Sequence, residues 1–181
     1  MNALLVIDMQ NGCFQTPRYE KERIVSNINS LIEYFRITNQ PIYFIQHNGF
    51  KENYMFPETE DYQIIKELHK DISDNFIEKT VNNAFYETKL EEKLVKDKVR
   101  TIYITGLATE FCVNATILDA LNRNFNIVVV NDSHTTANRE LMNANKIIEF
   151  YNWLWINLTP TKGSIMSKSV KEIIDIKKEK E

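Results

Sequence analysis

Two patterns of apolar residues alternate along the chain. The first is a short continuous run: ALLVI (3–7), IYFI (42–45), NFIEK (75–79), TIYIT (101–105), NIVVV (126–130) and SIM (164–166). Continuous runs of this length suit strands buried on both faces. The second pattern repeats at helical spacing. Ile24, Ile28, Leu31, Ile32 and Phe35 share one helix face. A short helix is expected near 63–69, and a longer one over 84–97 with Leu90, Leu94 and Val95 inward. Residues 109–123 place Cys112, Val113, Thr116, Ile117 and Ala120 on one side. A helix over 138–156 carries Ile147, Ile148, Tyr151, Leu154 and Trp155, and a last helix spans 168–177. Between strand two and the helix at 63 lies a polar, aromatic stretch, 46–62.

Strands alternating with helices predict an α/β fold: a Rossmann-like three-layer α/β/α arrangement with a mostly parallel sheet of about six strands. No repeat, linker or composition break interrupts 181 residues, so a single domain over 1–181 is expected. The balance of 43% hydrophobic and 26% charged residues is that of an ordinary globular chain. A net charge of −3 gives no electrostatic footprint for nucleic acid or an acidic membrane surface. The tail KKEKE alternates in sign and reads as a solvated end. MNALLVIDMQ lacks the basic leader of a signal peptide, and no run nears the ~18 apolar residues of a membrane span, so a cytoplasmic location is expected. Two cysteines, Cys13 and Cys112, without CxxC or HxxxH spacing, point to neither a disulfide nor a zinc site.

Parallel sheets bind ligands beyond the carboxyl ends of their strands. Those ends are polar here. Strand one ends at Asp8, strand two near Gln46 and His47, strand three at Lys79, strand four before the 106–112 corner, and strand five near Asp132 and His134. Alone, each residue has a plain structural reading: Asp8 as a turn cap, Lys79 as a snorkelling lysine, Cys112 as a small buried hydrophobe. If strands one and three end at the same edge, Asp8 and Lys79 can pair in a cleft and stabilise one another's charges. Cys112 follows Thr109, a plausible N-cap, and sits where free backbone N–H groups favour a thiolate. A thiolate beside such groups is equipped for acyl transfer.

Together these segments resemble the isochorismatase-like cysteine hydrolases. ALLVIDMQNGCF is similar to the family's opening strand and Asp loop. IEKTVNNAFYETKLEEKL resembles its lysine segment, with Asn83, Ala84 and Phe85 before a T-x-L helix start. IYITGLATEFCVNATILDAL resembles its cysteine segment. VVVNDSHTT is similar to the family's next strand and loop, and NKIIEFYNWLW to the helix after that loop. The resemblance implies a hydrolase of C–N bonds in a small amide, carbamoyl or ureido substrate. Asp8 would act as general base, Lys79 as its electrostatic partner, and Cys112 as a nucleophile forming a thioester-type intermediate. The N–H groups of Ala108 and Cys112 would form the oxyanion hole, with a cis Leu107–Ala108 bond. A homodimer or homotetramer is implied as well.

Zinc-containing nicotinamidases of the family carry Asp-x-His and a further His after strand two. QHNGFKENYMF keeps only His47, so no metal or other cofactor is expected and nicotinamide is disfavoured. Isochorismatases proper lack the nucleophilic cysteine, so Cys112 argues against isochorismate. Asn124 stands where relatives often have glycine, predicting a strained or longer turn. Candidate substrate contacts are Gln10, Phe14, His47, Phe85 and Leu107, with Gln10 also able to brace the Asp8 loop; His134 is placed on the loop after strand five, at an interface or the cleft mouth. Cys13 reads as structural, His69 as exposed, and Trp153 and Trp155 as core or dimer contact. Two other classes compete. A nucleotide-binding module lacks GxGxxG and GxxxxGK[ST]. A catalytically quiet scaffold or thiol sensor would keep the fold and use Cys112 only for reversible oxidation.

Overall fold

The computed structural model describes residues 1–175. Its strands are β1 (Asn2–Ile7), β2 (Ile42–His47), β3 (Asn75–Lys79), β4 (Thr101–Leu107), β5 (Asn126–Thr135) and β6 (Ile165–Lys168). They form one sheet in the order β3-β2-β1-β4-β5-β6, and every neighbouring pair is parallel. The helices are α1 (Lys21–Ile37), α2 (Leu90–Lys96), α3 (Asn114–Asn122), α4 (Ala144–Ile156) and α5 (Val170–Asp175).

Side chains of successive strand residues point to opposite faces, and both faces are apolar here. Leu4, Val6, Ile42 and Phe44 pack beneath α1 and α5 with Ile28, Leu31 and Ile173. Leu5, Ile7, Ile45, Ile102 and Ile104 pack beneath α2, α3 and α4 with Leu94, Ile117 and Trp155. This is the three-layer architecture expected. A one-residue slip of β1 would exchange one apolar face for another, whereas a slip of β3 would bury its exposed Phe76 and Glu78 face. Either slip would also move Asp8 or Lys79 out of its pairing, and a stranded buried charge costs several kcal/mol. The charged strand ends therefore hold the register more firmly than the apolar bodies do.

β1 and β4 approach closely at one place. Gly106 has φ +109°, and a Cβ there would lie 2.1 Å from the Ile7 carbonyl oxygen. Only glycine fits. The pairing of β4 with β5 shifts register between Ile104 and Gly106, which re-aims the strand just before the cysteine corner.

Several elements differ from the expectation. Residues 63–69 form no helix. Ile64 bridges to Gln10, while Ile64, Ile65 and Leu68 are buried under the loop, so tertiary packing produces the helix-like spacing. The 84–97 helix is confined to α2. The Asn83 side chain accepts the Phe85 N–H at 2.9 Å, and Thr88 Oγ1 donates to Ala84 O at 2.7 Å and accepts from Leu90 N at 3.2 Å. These local bonds compete with helix, and Val95 is exposed rather than inward. α4 starts at Ala144, whose N–H is capped by Asn138 Oδ1 at 2.9 Å. β5 continues to Thr135, so Asp132 and His134 lie in the strand and not on a loop.

Asn124 takes φ 67°, a left-handed turn that asparagine tolerates. The last helix opens on Ser169: its Oγ accepts the Glu172 N–H at 3.3 Å while Glu172 accepts the Ser169 N–H at 2.7 Å, a reciprocal cap. The expected continuation to 177 and the KKEKE tail lie outside the described residues. Trp153 is exposed and so not core, whereas Trp155 is fully buried with its indole N–H on Asn114. Among the described residues no helix is long and apolar enough to cross a membrane.

Candidate active site

From β1 the chain continues to β2 and β3 on one side, and β4 closes on the other. The order reverses between β1 and β4, so their carboxyl ends flank the crevice where such sheets bind ligands. Asp8 follows β1, with φ 52°. The 108–112 corner follows β4. Lys79 ends β3, two strands from Asp8, a span of about 10 Å. Only a long side chain bridges that distance.

Lys79 does so. Its Nζ lies 2.8 Å from Asp8 Oδ2, and the two side chains are 0% and 3% exposed. The same nitrogen donates to Cys112 Sγ at 3.4 Å and Val81 O at 3.1 Å, and stands 3.3 Å from His47 Nδ1. Three N–H groups thus serve four neighbours. The ammonium beside it makes His47 Nδ1 an acceptor, which leaves Nε2–H facing Glu52 Oε2 at 3.3 Å. Burial works to lower the Lys79 pKa, but the Asp8 carboxylate and the Cys112 sulfur outweigh it and hold the ammonium above its ordinary value.

Cys112 sits in a π-helical turn, Thr109–Val113, that feeds α3. Burial pushes its thiol well above the ordinary range; the Asp8 charge adds to this, and Lys79 opposes it. At neutral pH the sulfur is therefore a thiol near a carboxylate, not the ready thiolate that its position along the sequence suggests. Thr109 does not cap the turn: its hydroxyl meets His134 Nδ1 at 2.9 Å. Asp8 Oδ1 is buried and lacks a hydrogen-bond partner among the described residues, so one carboxylate acceptor is free beside the thiol. The Leu107–Ala108 peptide bond is cis.

These groups line a cleft of about 260 Å³. Asp8, His47, Leu107, Ala108 and Cys112 all border it. Phe14 and Phe85 do not: Phe14 packs under Lys21, and Phe85 stacks on Phe125 in the core. Gln10 is fully buried; its amide accepts the His47 N–H at 2.7 Å and donates to Tyr62 O at 2.8 Å. It therefore ties β1 to β2 and does not reach substrate space. His134 is buried and lies neither at the mouth nor on an exposed face; it is bonded to Thr109 and to Asn152 Oδ1 at 3.0 Å. Burial lowers its pKa to about 4. Cys13 borders the cleft but meets Met55 Sδ at 3.7 Å, and burial pushes its thiol up to about 12. His69 is exposed, as expected.

The sequence reading missed Arg18, Tyr54, Asn82, Phe111 and Arg139, which also line the cleft. Arg18, Tyr54, Asn82 and Arg139 come from separate loops and Phe111 from the turn that carries Cys112, and no periodicity marks them. Asn82 Oδ1 takes the Cys112 thiol at 3.6 Å.

The fold and the site define an α/β protein with a buried Asp–Lys pair and a thiol at its topological switch. The isochorismatase domain model matches residues 2–151, and the chain belongs to the isochorismatase family of hydrolases. It is 32% identical over 179 residues to the isochorismatase family protein YaaI of Bacillus subtilis, covering 92% of this chain and 97% of that protein. It is 30% identical over 156 residues to nicotinamidase 3 of Arabidopsis thaliana, covering 78% and 77%. A crystal structure described as an isochorismatase family protein superposes with a TM-score of 0.83 at 28% identity, covering 92% of this chain and 98% of that one.

Proposed function

We propose that the protein is a cysteine-dependent hydrolase of C–N bonds in a small amide, carbamoyl or ureido compound. One observation carries the reading: a single buried ammonium touches both the Asp8 carboxylate and the Cys112 sulfur at the floor of a small cleft. The Asp8 carboxylate takes the thiol proton, and the sulfur attacks the substrate's carbonyl carbon. Lys79 offsets the negative charge that moves from carboxylate to sulfur. The carbonyl oxygen becomes an oxyanion on the N–H groups of Ala108 and Cys112. The C–N bond then breaks, and the nitrogen leaves with the proton held by Asp8. Water attacks the C–S bond's carbonyl, giving its proton to Asp8, and the acid departs as the thiol is restored. The cleft volume lies below the ~300–1,000 Å³ of drug-sized sites, which supports a small substrate.

The test is amine release from a panel of small amides, N-carbamoyl acids, ureido acids and nicotinamide, with intact-mass capture of an acyl group on Cys112. Cys112→Ala should lower kcat/KM for any active compound by at least about 10⁴-fold. Activity that survives this substitution removes Cys112 from the chemistry. Absence of both turnover and adduct across the panel favours the quiet scaffold.

A further inference from the structure

Each charged side chain at the cleft is hydrogen-bonded to another ionisable side chain, with one exception. Asp8 is paired with Lys79 at 2.8 Å. Glu52 faces His47 at 3.3 Å. Arg139 donates to Glu110 Oε1 at 2.7 Å and to Thr136 Oγ1 at 3.2 Å, and stacks over the Phe111 ring at 5.1 Å. Arg18 is different. Its Nε donates to Cys13 O at 2.6 Å, which anchors the guanidinium at the cleft wall. Among the described residues it has no ion pair, and its two terminal nitrogens make no hydrogen bond.

We propose that Arg18 receives a carboxylate of the substrate, so that the compound hydrolysed carries an acid group beside its scissile C–N bond. The inference rests on the hydrolase reading of the same cleft and names its substrate class. A guanidinium fixed through Nε presents its remaining N–H groups as a planar fork, the shape that meets a carboxylate bidentately. Burial lowers its pKa and the neighbouring Arg139 adds repulsion, while Glu110, already bonded to Arg139, attracts it without contact. A guanidinium whose terminal donors are free calls for an anionic acceptor. A dianionic phosphate would face Asp8 and Glu52 across the same small space, and 260 Å³ holds only about nine water volumes. A short carboxylic acid fits both limits.

The experiment separates binding from chemistry. Cys112→Ala protein is titrated by calorimetry with N-carbamoylglycine, N-carbamoyl-β-alanine and succinamic acid, each against its neutral amide. At least one acid should bind about tenfold or more tighter than its amide, the scale of a charge-assisted hydrogen bond. The preference should fall to about one in Cys112→Ala/Arg18→Gln and be partly restored by Arg18→Lys. Equal or undetectable binding of acid and amide in all three pairs overturns the proposal, as does a preference unchanged by Arg18→Gln. If the intact enzyme then hydrolyses neutral amides, the hydrolase reading stands without it. A preference that needs Arg18, in a protein that hydrolyses nothing, upholds the subsite and removes the reaction.

Discussion

Asp8→Asn should make Cys112 more reactive toward alkylation while abolishing turnover. The two effects have opposite signs because Asp8 plays two parts. As a charge it disfavours the thiolate; as the base of the proposed mechanism it would create the thiolate at the moment of attack. Asp8 Oδ2 and Cys112 Sγ each contact Lys79 Nζ, at 2.8 and 3.4 Å, so they are no more than about 6 Å apart. At an effective dielectric of about 20, like charges at that distance repel by about 3 kcal/mol. Removing the carboxylate charge therefore raises the thiolate fraction at neutral pH about 100-fold. A less basic thiolate is a weaker nucleophile, with a Brønsted slope of about 0.5, which returns about tenfold. The net expectation is alkylation by iodoacetamide about tenfold faster at a pH of about 7.5, followed by peptide mass spectrometry. Cys13, held as a thiol by burial, is the internal control. Slower or unchanged alkylation of Cys112 in Asp8→Asn refutes the assignment of Asp8 as the group that restrains the thiol.

The same pair should dominate local stability. Lys79→Met leaves a buried carboxylate uncompensated and is expected to cost about 3–5 kcal/mol in urea unfolding, and Asp8→Asn/Lys79→Met should recover at least about half of that; a double variant less stable than Lys79→Met contradicts the pairing. His134 gives a pH signature. Its folded pKa of about 4 lies below the ordinary value of 6.5, so the unfolded chain binds the extra proton between those limits. Its contribution, about 3 kcal/mol, is complete above about pH 6.5 and is lost as pH falls toward about 4. His134→Gln should flatten the stability profile in that window, and an unchanged slope would place the titration elsewhere.

Legibility along the chain was uneven for a physical reason. The inner strands β1, β2, β4 and β5 could be read because a strand buried on both faces leaves a continuous apolar run, a local property, while the edge strands β3 and β6 left shorter apolar stretches. α1 could be read from its one-sided spacing. The helices at 63–69 and 84–89 could not: Ile64, Ile65 and Leu68 are spaced like a helix but buried by a neighbouring loop, and Asn83 and Thr88 divert backbone groups into turns. Asp8, Lys79 and Cys112 stood out because each ends or follows an apolar run where the fold needs polarity. Phe14 and Phe85 looked equally suitable for a pocket wall; Phe85 went to the core and Phe14 to the core's edge under Lys21.

The order of residues along the chain was enough to set the alternation of strand and helix, the polar residues at the strand ends, and Gly106 where two backbones nearly touch. It took the folded sheet to place β1 between β2 and β4, and therefore to make Asp8 and Cys112 flank one crevice. The same assembly lets Lys79 reach across a strand to join them, keeps the thiol protonated at rest, and leaves the terminal nitrogens of Arg18 unpaired among the described residues. Periodicity is written in neighbours along the chain. Distance, burial and charge balance depend on residues far apart in sequence, and the order of strands in the sheet sets them.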